Sequence, residues 1–203
     1  MNKFYLDEVK QFYDDRFRVQ GDSITSVGWS SVESQELRFR MLLRDVDCSK
    51  KVMLDVGCGL GDLIPFLTKE GFEFCYIGID ISSELIKAAQ EKYKDNKKVL
   101  FIETDMLNFD SNSHHVDISV LSGTLSHKIE GNMTYAKAVI EKMFQSSTEV
   151  AALNFMSSYV DFKHEKNFHY NPEEMFSFGK TLTKKVNLFH DYPLYEFTLQ
   201  IFK

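Results

Sequence analysis

Three alternating glycines, Gly57, Gly59 and Gly61, follow the run Val52-Met53-Leu54-Asp55-Val56, and Asp80 ends a second apolar run, Tyr76-Ile77-Gly78-Ile79. Both runs read as buried strands. Glycine at a strand end permits positive φ and lets a ligand approach where a Cβ would otherwise stand. Asp80 lies 19 positions past Gly61 (80 − 61), close to the interval of about 20 residues at which an acid meets the hydroxyls of a ribose. Strand, glycine turn, helix and acid together make a nucleoside-binding βαβ unit. The glycine spacing narrows the ligand. Sites for a pyrophosphate favour G-x-G-x-x-G/A, but here the third small position falls on Asp62, and an acid at a helix N-terminus is a poor neighbour for phosphate.

A cationic cofactor without phosphate suits Asp55 and Asp62 better. S-adenosylmethionine (SAM) is such a molecule, and the segment resembles motif I of the class I SAM-dependent methyltransferases, with Asp80 resembling their ribose-binding acid. The resemblance covers about residues 51–203. It implies a Rossmann-like seven-stranded sheet, mostly parallel with an antiparallel C-terminal hairpin, with SAM as cofactor, S-adenosylhomocysteine (SAH) as product and no metal. It implies cofactor contacts from Asp55, Gly57, Cys58, Gly59, Gly61, Asp80 and Ile81. Asp105 and Met106 would meet the adenine, the alternative for Asp105 being a turn cap. The segment Leu121-Ser122-Gly123-Thr124-Leu125-Ser126-His127 would run beneath the sulfonium and the transferred methyl, with backbone contacts from Leu121 and Ser122. Segments such as Gly28-Trp29-Ser30-Ser31 and Phe168-His169-Tyr170 are similar to a recurrent bacterial subgroup of the family. An NAD-dependent oxidoreductase is disfavoured by the glycine spacing.

The elements that must position these residues can be read from periodicity. Residues 3–20 carry Phe4, Tyr5, Val9, Phe12, Tyr13 and Phe17 at helical steps, and a loop over 21–32 holds Trp29. A helix follows from about Ser34 to Arg44. None of this belongs to a βα repeat, so residues 1–46 read as an N-terminal helical cap or lid on a SAM-binding core of 47–203, within a single domain of 203 residues. From Lys51 the pattern alternates: strand 52–56, helix 62–69, strand 74–79, helix 83–93, strands 99–102 and 116–121, helix 133–145, strand 149–155. Such alternation implies a parallel sheet covered by helices on both faces. Asp62 is a candidate N-cap for the first of these helices and Ser82 or Ser83 for the second. Two strand-like runs, 184–190 and 194–202, form a terminal hairpin in outline.

Composition excludes several partners. With a net charge of −6 and no stripe of Lys and Arg, the chain lacks the counterion-displacing surface of a nucleic-acid binder. Cys48, Cys58 and Cys75 show no C-x-x-C spacing and read as reduced thiols. The first residues lack a signal-peptide core and no apolar run approaches a membrane span. The expectation is a soluble cytoplasmic protein. No His, Cys and acid set has metal-ligand spacing, since His114-His115-x-Asp117 opens a strand whose alternate side chains point apart.

Methyl transfer needs alignment of the nucleophile, and a base only where that nucleophile arrives protonated. The catalytic candidates are His127, just past the methyl-facing segment, His169 and Tyr13; each has the bland alternative of a packing or hydrogen-bonding role. Ser122-Gly123-Thr124-Leu125 lacks the [N/D/S]-P-P-[Y/F] box of enzymes that methylate base amines. Candidates for acceptor binding are Arg16, Arg18, Trp29, Arg38, Tyr170 and Tyr192, because arginines beside aromatics suit a small carboxylate or phosphate. Cap arginines that merely face water are the alternative. The expected activity is methyl transfer to an O or N atom of a small anionic metabolite, the alternative being a non-catalytic SAM- or SAH-binding partner or sensor.

Overall fold

A chain whose strands are apolar along their whole length must cover both faces of its sheet, and the computed structural model does so. It describes residues 3–203, with the backbone alone over residues 3–5; Met1, Asn2 and the side chains of Phe4 and Tyr5, though part of the cap reading, lie outside the described residues. Helices α1 (Lys3–Gln20) and α2 (Val32–Leu42) precede the sheet. The core then runs β1 (Lys51–Val56), α3 (Leu63–Lys69), β2 (Phe74–Asp80), α4 (Ser83–Lys92), β3 (Val99–Glu103) and β4 (Ile118–Leu121). It continues through α5 (Asn132–Ser146), β5 (Val150–Met156), α6 (Pro172–Leu182), β6 (Val186–Phe189) and β7 (Glu196–Phe202).

The seven strands lie in the order β3-β2-β1-β4-β5-β7-β6. β1 pairs in parallel with β2 and with β4, while β7 runs antiparallel between β5 and β6. The fold is thus the mostly parallel Rossmann-like sheet with a C-terminal antiparallel hairpin expected from the sequence. Leu54, Ile79 and Leu121 belong to a core completed by Ile140 and Met143 of α5 and Met175 of α6. On the opposite face Met53, Tyr76 and Ile118 meet Phe39 and Leu42 of α2, Leu67 of α3 and Ile86 of α4. Strand order reverses between β1 and β4, and in open α/β sheets the crevice outside the strand ends at that point takes the ligand.

Local signals explain the boundaries and two departures. Ser82 accepts from the Leu85 amide and caps α4 as expected. Asp62 does not cap α3: its backbone is already helical and makes no side-chain cap bond, and its carboxylate accepts instead from Gln35 Nε2 at 3.1 Å. Helix α6 lies outside the expected alternation, although Asn171 caps it, Pro172 occupies its first turn and Glu173 and Glu174 complement its dipole. Helix α1 rests on α4, tied by Ser82 Oγ donating to the buried Asp14 and by ion pairs Lys10–Glu103 and Arg18–Glu84. Cys48 and Cys58 are buried, Cys75 is exposed, and all three are free thiols. Among the described residues no helix is long and apolar enough to cross a membrane.

Candidate active site

A cleft opens at the reversal of strand order, where open α/β sheets take their ligands. Its floor is the turn after β1. The amides of Gly57 and Cys58 both donate to the Ile79 carbonyl, at 2.8 and 3.0 Å, which brings the turn against the tip of β2. Gly57 has φ of +74°, and a Cβ there would stand 2.0 Å from Thr124 Oγ1, a distance no side chain tolerates. Asp80 reaches back, accepting from Gly59 N at 3.0 Å and from Ser82 N at 2.9 Å. Those two bonds fix its carboxylate and leave lone pairs facing the cleft.

Gly57, Cys58, Gly59, Asp55, Asp80, Ile81, Asp105, Met106, Leu121 and Ser122 all line this cleft. Gly61 does not. Its φ is +78°, and a Cβ there would meet Phe101 at 2.9 Å and Tyr93 at 3.0 Å; its task is to let the turn pack on its neighbours. Asp105 both lines the cleft and caps the turn after it, accepting from Leu107 N at 2.7 Å and Asn108 N at 3.2 Å.

The charged side chains of the floor are mainly acidic. Among the described residues the lining includes four aspartates, Asp55, Asp62, Asp80 and Asp105, and neither a lysine nor an arginine, although Lys92 pairs with Asp62 from outside at 3.7 Å. Burial pushes the Asp55 carboxyl up to about 7, against the lowering effect of the Tyr76 hydroxyl that donates to it at 2.7 Å, and the carboxylates of Asp80 and Asp62 raise it further. Asp80 is likewise raised by burial, opposed by the amides of Ser82, Gly59 and Ile81. Carboxylates held in such surroundings favour a cation beside them.

At the mouth, Tyr13 and His127 meet, with Tyr13 Oη 3.2 Å from His127 Nε2. The Phe12 ring stands edge-on to His127 at 5.1 Å, and Asn132 Nδ2 donates to the His127 carbonyl at 2.8 Å. Burial, then the charges of Arg16 and Lys166, lower the His127 pKa. Burial, then Asp80, raises the Tyr13 phenol to about 12. Near neutral pH the pair is therefore a neutral imidazole beside a protonated phenol. The roof comes from the loop between α1 and α2. Val27 lies over Gly59, and the Trp29 ring lies against Gly123, where a Cβ would come within 2.4 Å of it.

Several expected site residues lie elsewhere. Tyr170 is fully buried, donates to the Leu125 carbonyl at 3.1 Å and packs against the tilted Phe155 ring and the edge-on Phe168 ring, so it is a core residue. His169 is half-buried outside the cleft lining, its pKa lowered by burial. Tyr192 bonds Thr198 at 3.0 Å, away from the cleft. Arg18 pairs with Asp15 and Glu84 on the surface. Arg38 is bidentate on Glu196, at 2.9 and 2.5 Å, and its guanidinium covers the Trp29 ring at 4.3 Å; it supports the roof from behind. Arg16 Nε donates to the Thr25 carbonyl at 2.5 Å, beside the cleft rather than in it.

Other wall residues escape sequence reasoning: Val27, Asn132 and Tyr135. Only Asn132 carries a local signal, standing after Gly131 at the start of α5. Among the described residues no group of three or more His, Cys, Asp or Glu is arranged for a metal.

Known proteins share this architecture. The methyltransferase domain family matches residues 53–166. A protein of Mycobacterium tuberculosis named as a methyltransferase is 30% identical over 156 residues, covering 73% of this chain and 91% of its own length. Magnesium protoporphyrin IX methyltransferase from Synechocystis PCC 6803, solved with bound SAH, superposes with a TM-score of 0.69 at 16% identity over 98% of this chain and 99% of that one. The N-methyltransferase NodS from Bradyrhizobium japonicum WM9, in complex with SAH, gives 0.65 at 16% identity over 94% and 97%.

Proposed function

The chain belongs to the methyltransferase domain family and is a class I SAM-dependent methyltransferase, and on that premise we propose that it methylates an O or N atom of a small anionic metabolite. The observation that carries the cofactor half of this reading is the cleft wall, with four aspartates and, among the described residues, no lysine or arginine. SAM, when bound, supplies an electrophilic methyl on a sulfonium and adds a cationic amino group. The wall residues fit it. Asp80 would take the ribose hydroxyls on its free lone pairs. Gly57, Cys58 and Gly59 would present bare backbone, and Asp55 would face the cationic end. Asp105 and Met106 would bound the base, and Leu121 and Ser122 would floor the methyl side. Dinucleotides fit badly, because these carboxylates would face a pyrophosphate.

On the acceptor side, residues 1–46 act in this proposal as a lid. Trp29 and Val27 cover the cleft and exclude water, and Tyr13 and His127 stand at its mouth. His127 is held neutral by burial and nearby cations, so its imidazole can accept the proton of an acceptor hydroxyl or amine, as a base with a pKa below neutral. Tyr13 Oη, 3.2 Å away, fixes the ring. Alignment of the nucleophile in such an enclosed mouth is worth roughly 7–11 kcal/mol of barrier. Free thiols on all three cysteines fit a reducing compartment such as the cytoplasm.

The test is transfer of labelled methyl from SAM to fractions of a bacterial small-molecule extract, by wild type and by His127→Ala. Labelled product from an anionic fraction, reduced in the variant, supports the proposal. No transfer from any fraction despite tight SAM binding would favour the non-catalytic alternative.

A further inference from the structure

Positive charge gathers around the Tyr13–His127 pair although, among the described residues, no lysine or arginine lines the cleft behind it. The segment after β4 is stitched to the segment before α6: Lys128 N donates to the Lys166 carbonyl and Phe168 N to the Ser126 carbonyl, both at 2.9 Å. His127 stands opposite Asn167 in an antiparallel bridge, which sets Lys166 beside it. The Arg16 guanidinium, for its part, lies 5.8 Å from the Phe12 ring, whose neighbour at 5.1 Å is His127. Both cations stand near enough to His127 to disfavour its protonation, and Arg16 also acts on the Tyr13 phenol.

These two charges are treated unlike the other arginines of the cap and its surroundings. Arg18, Arg38, Arg40 and Arg44 all hold carboxylates. Arg16 and Lys166 make no such ion pair among the described residues; Arg16 spends its Nε on the Thr25 carbonyl and keeps its terminal nitrogens. Around them the two stitched segments carry Lys128, Lys163 and Lys166 against Glu130, Asp161 and Glu165, so the positive character of the rim rests on Arg16 and Lys166 themselves. An anion entering further would meet the four aspartates of the wall and be repelled. The field therefore has a direction, cation-favouring inside and anion-favouring at the rim.

We infer that Arg16 and Lys166 form a two-pronged clamp for a carboxylate or phosphate of the acceptor, holding that group at the rim while its nucleophile reaches the Tyr13–His127 pair. This rests on the methyl-acceptor reading above. An arginine fork and a lysine point charge that meet one anion together fix its place and its orientation. Phe12, 41% exposed, offers the apolar body of the same molecule a surface between them.

The test uses SAH-saturated protein titrated with benzoate, phenyl phosphate and benzamide, the last matching benzoate in shape without its charge. Wild type should bind benzoate or phenyl phosphate at least fivefold more tightly than benzamide, and whichever anion binds better names the group. Arg16→Gln and Lys166→Gln should each remove most of that preference and the double variant should abolish it, with SAH affinity unchanged within twofold. Equal binding of benzoate, phenyl phosphate and benzamide, or a preference that survives the double variant, would overturn the clamp while leaving the cofactor site intact. Failure of the wild type to bind SAH would overturn the underlying reading, and the clamp with it.

Discussion

The two ends of the cleft are built from different kinds of chain. At the glycine end much of the wall comes from one turn, Asp55 to Asp62, and the tip of the next strand at Asp80, within 26 positions counted inclusively (80 − 55 + 1), with Asp105, Met106, Leu121 and Ser122 added from the ends of the following strands. At the mouth, Tyr13 of α1, Trp29 of the cap loop, His127 after β4 and Lys166 before α6 converge from four separate segments. The charges differ as well: among the described residues, carboxylates without lysine or arginine line the inside, and cations without a carboxylate partner stand at the rim. A site made from one local segment shows its chemistry in its spacing. A site assembled at long range shows it only when the fold is in hand.

The largest effect should come from breaking the support of the roof. Arg38 and Glu196 are only 11% and 12% exposed, and they lie far apart in sequence. Arg38→Ala strands a buried carboxylate and should destabilise the fold by about 3–5 kcal/mol, read by denaturant unfolding. Arg38→Met paired with Glu196→Leu should recover much of that loss. Next comes the mouth itself. His127→Ala should lower turnover by about a hundredfold or more, the usual size of general-base catalysis, while SAH affinity stays within about twofold, also on the ground that the base acts on the acceptor alone. A comparable loss of SAH affinity would mean that the two ends are not separate sites.

At the glycine end, Asp80→Ala removes the fixed carboxylate and should weaken SAM binding by about tenfold or more, since a buried charged hydrogen bond is lost. The same end should titrate. Asp55 is raised to about 7 from an ordinary value of 3.8, so the folded chain holds its proton where the unfolded chain has released it. Its contribution to stability therefore falls as pH rises from about 4 to about 7 and is level above that. A cationic ligand favours the ionised form, so SAM affinity should rise roughly fivefold to tenfold from pH 6 to pH 7.5. Asp55→Asn should flatten that profile, as calorimetry at both pH values would read. The smallest effect belongs to the cap surface. Lys10→Ala cuts an exposed pair with Glu103 and should cost less than about 1 kcal/mol, a loss of thermal stability that high salt would erase.

The same contrast explains what the sequence made legible. The strands, the positive-φ glycines and the acid at Asp80 declare themselves because periodicity and turn chemistry act over neighbouring residues. Cap arginines do not, because an exposed Arg18 and a buried Arg38 look alike until Glu84 and Glu196 arrive from distant segments. Tyr170 read as a substrate contact because aromatics serve cores and sites equally well, and the buried packing against Phe155 decides for the core. Gly61 followed the glycine pattern yet faces Phe101 and Tyr93 rather than the cleft. Helix α6 had local signals, Asn171 and Pro172 followed by two acids, and was hidden among the histidine and aromatic residues just before it.

Calorimetric titration of the purified protein with SAH, and separately with NADH, addresses the central claim most directly. An acidic wall with no lysine or arginine among the described residues predicts micromolar binding of SAH, weakened by Asp80→Ala, and no heat from NADH. Binding of NADH with none of SAH would contradict the account, for it would place a pyrophosphate where four aspartates stand.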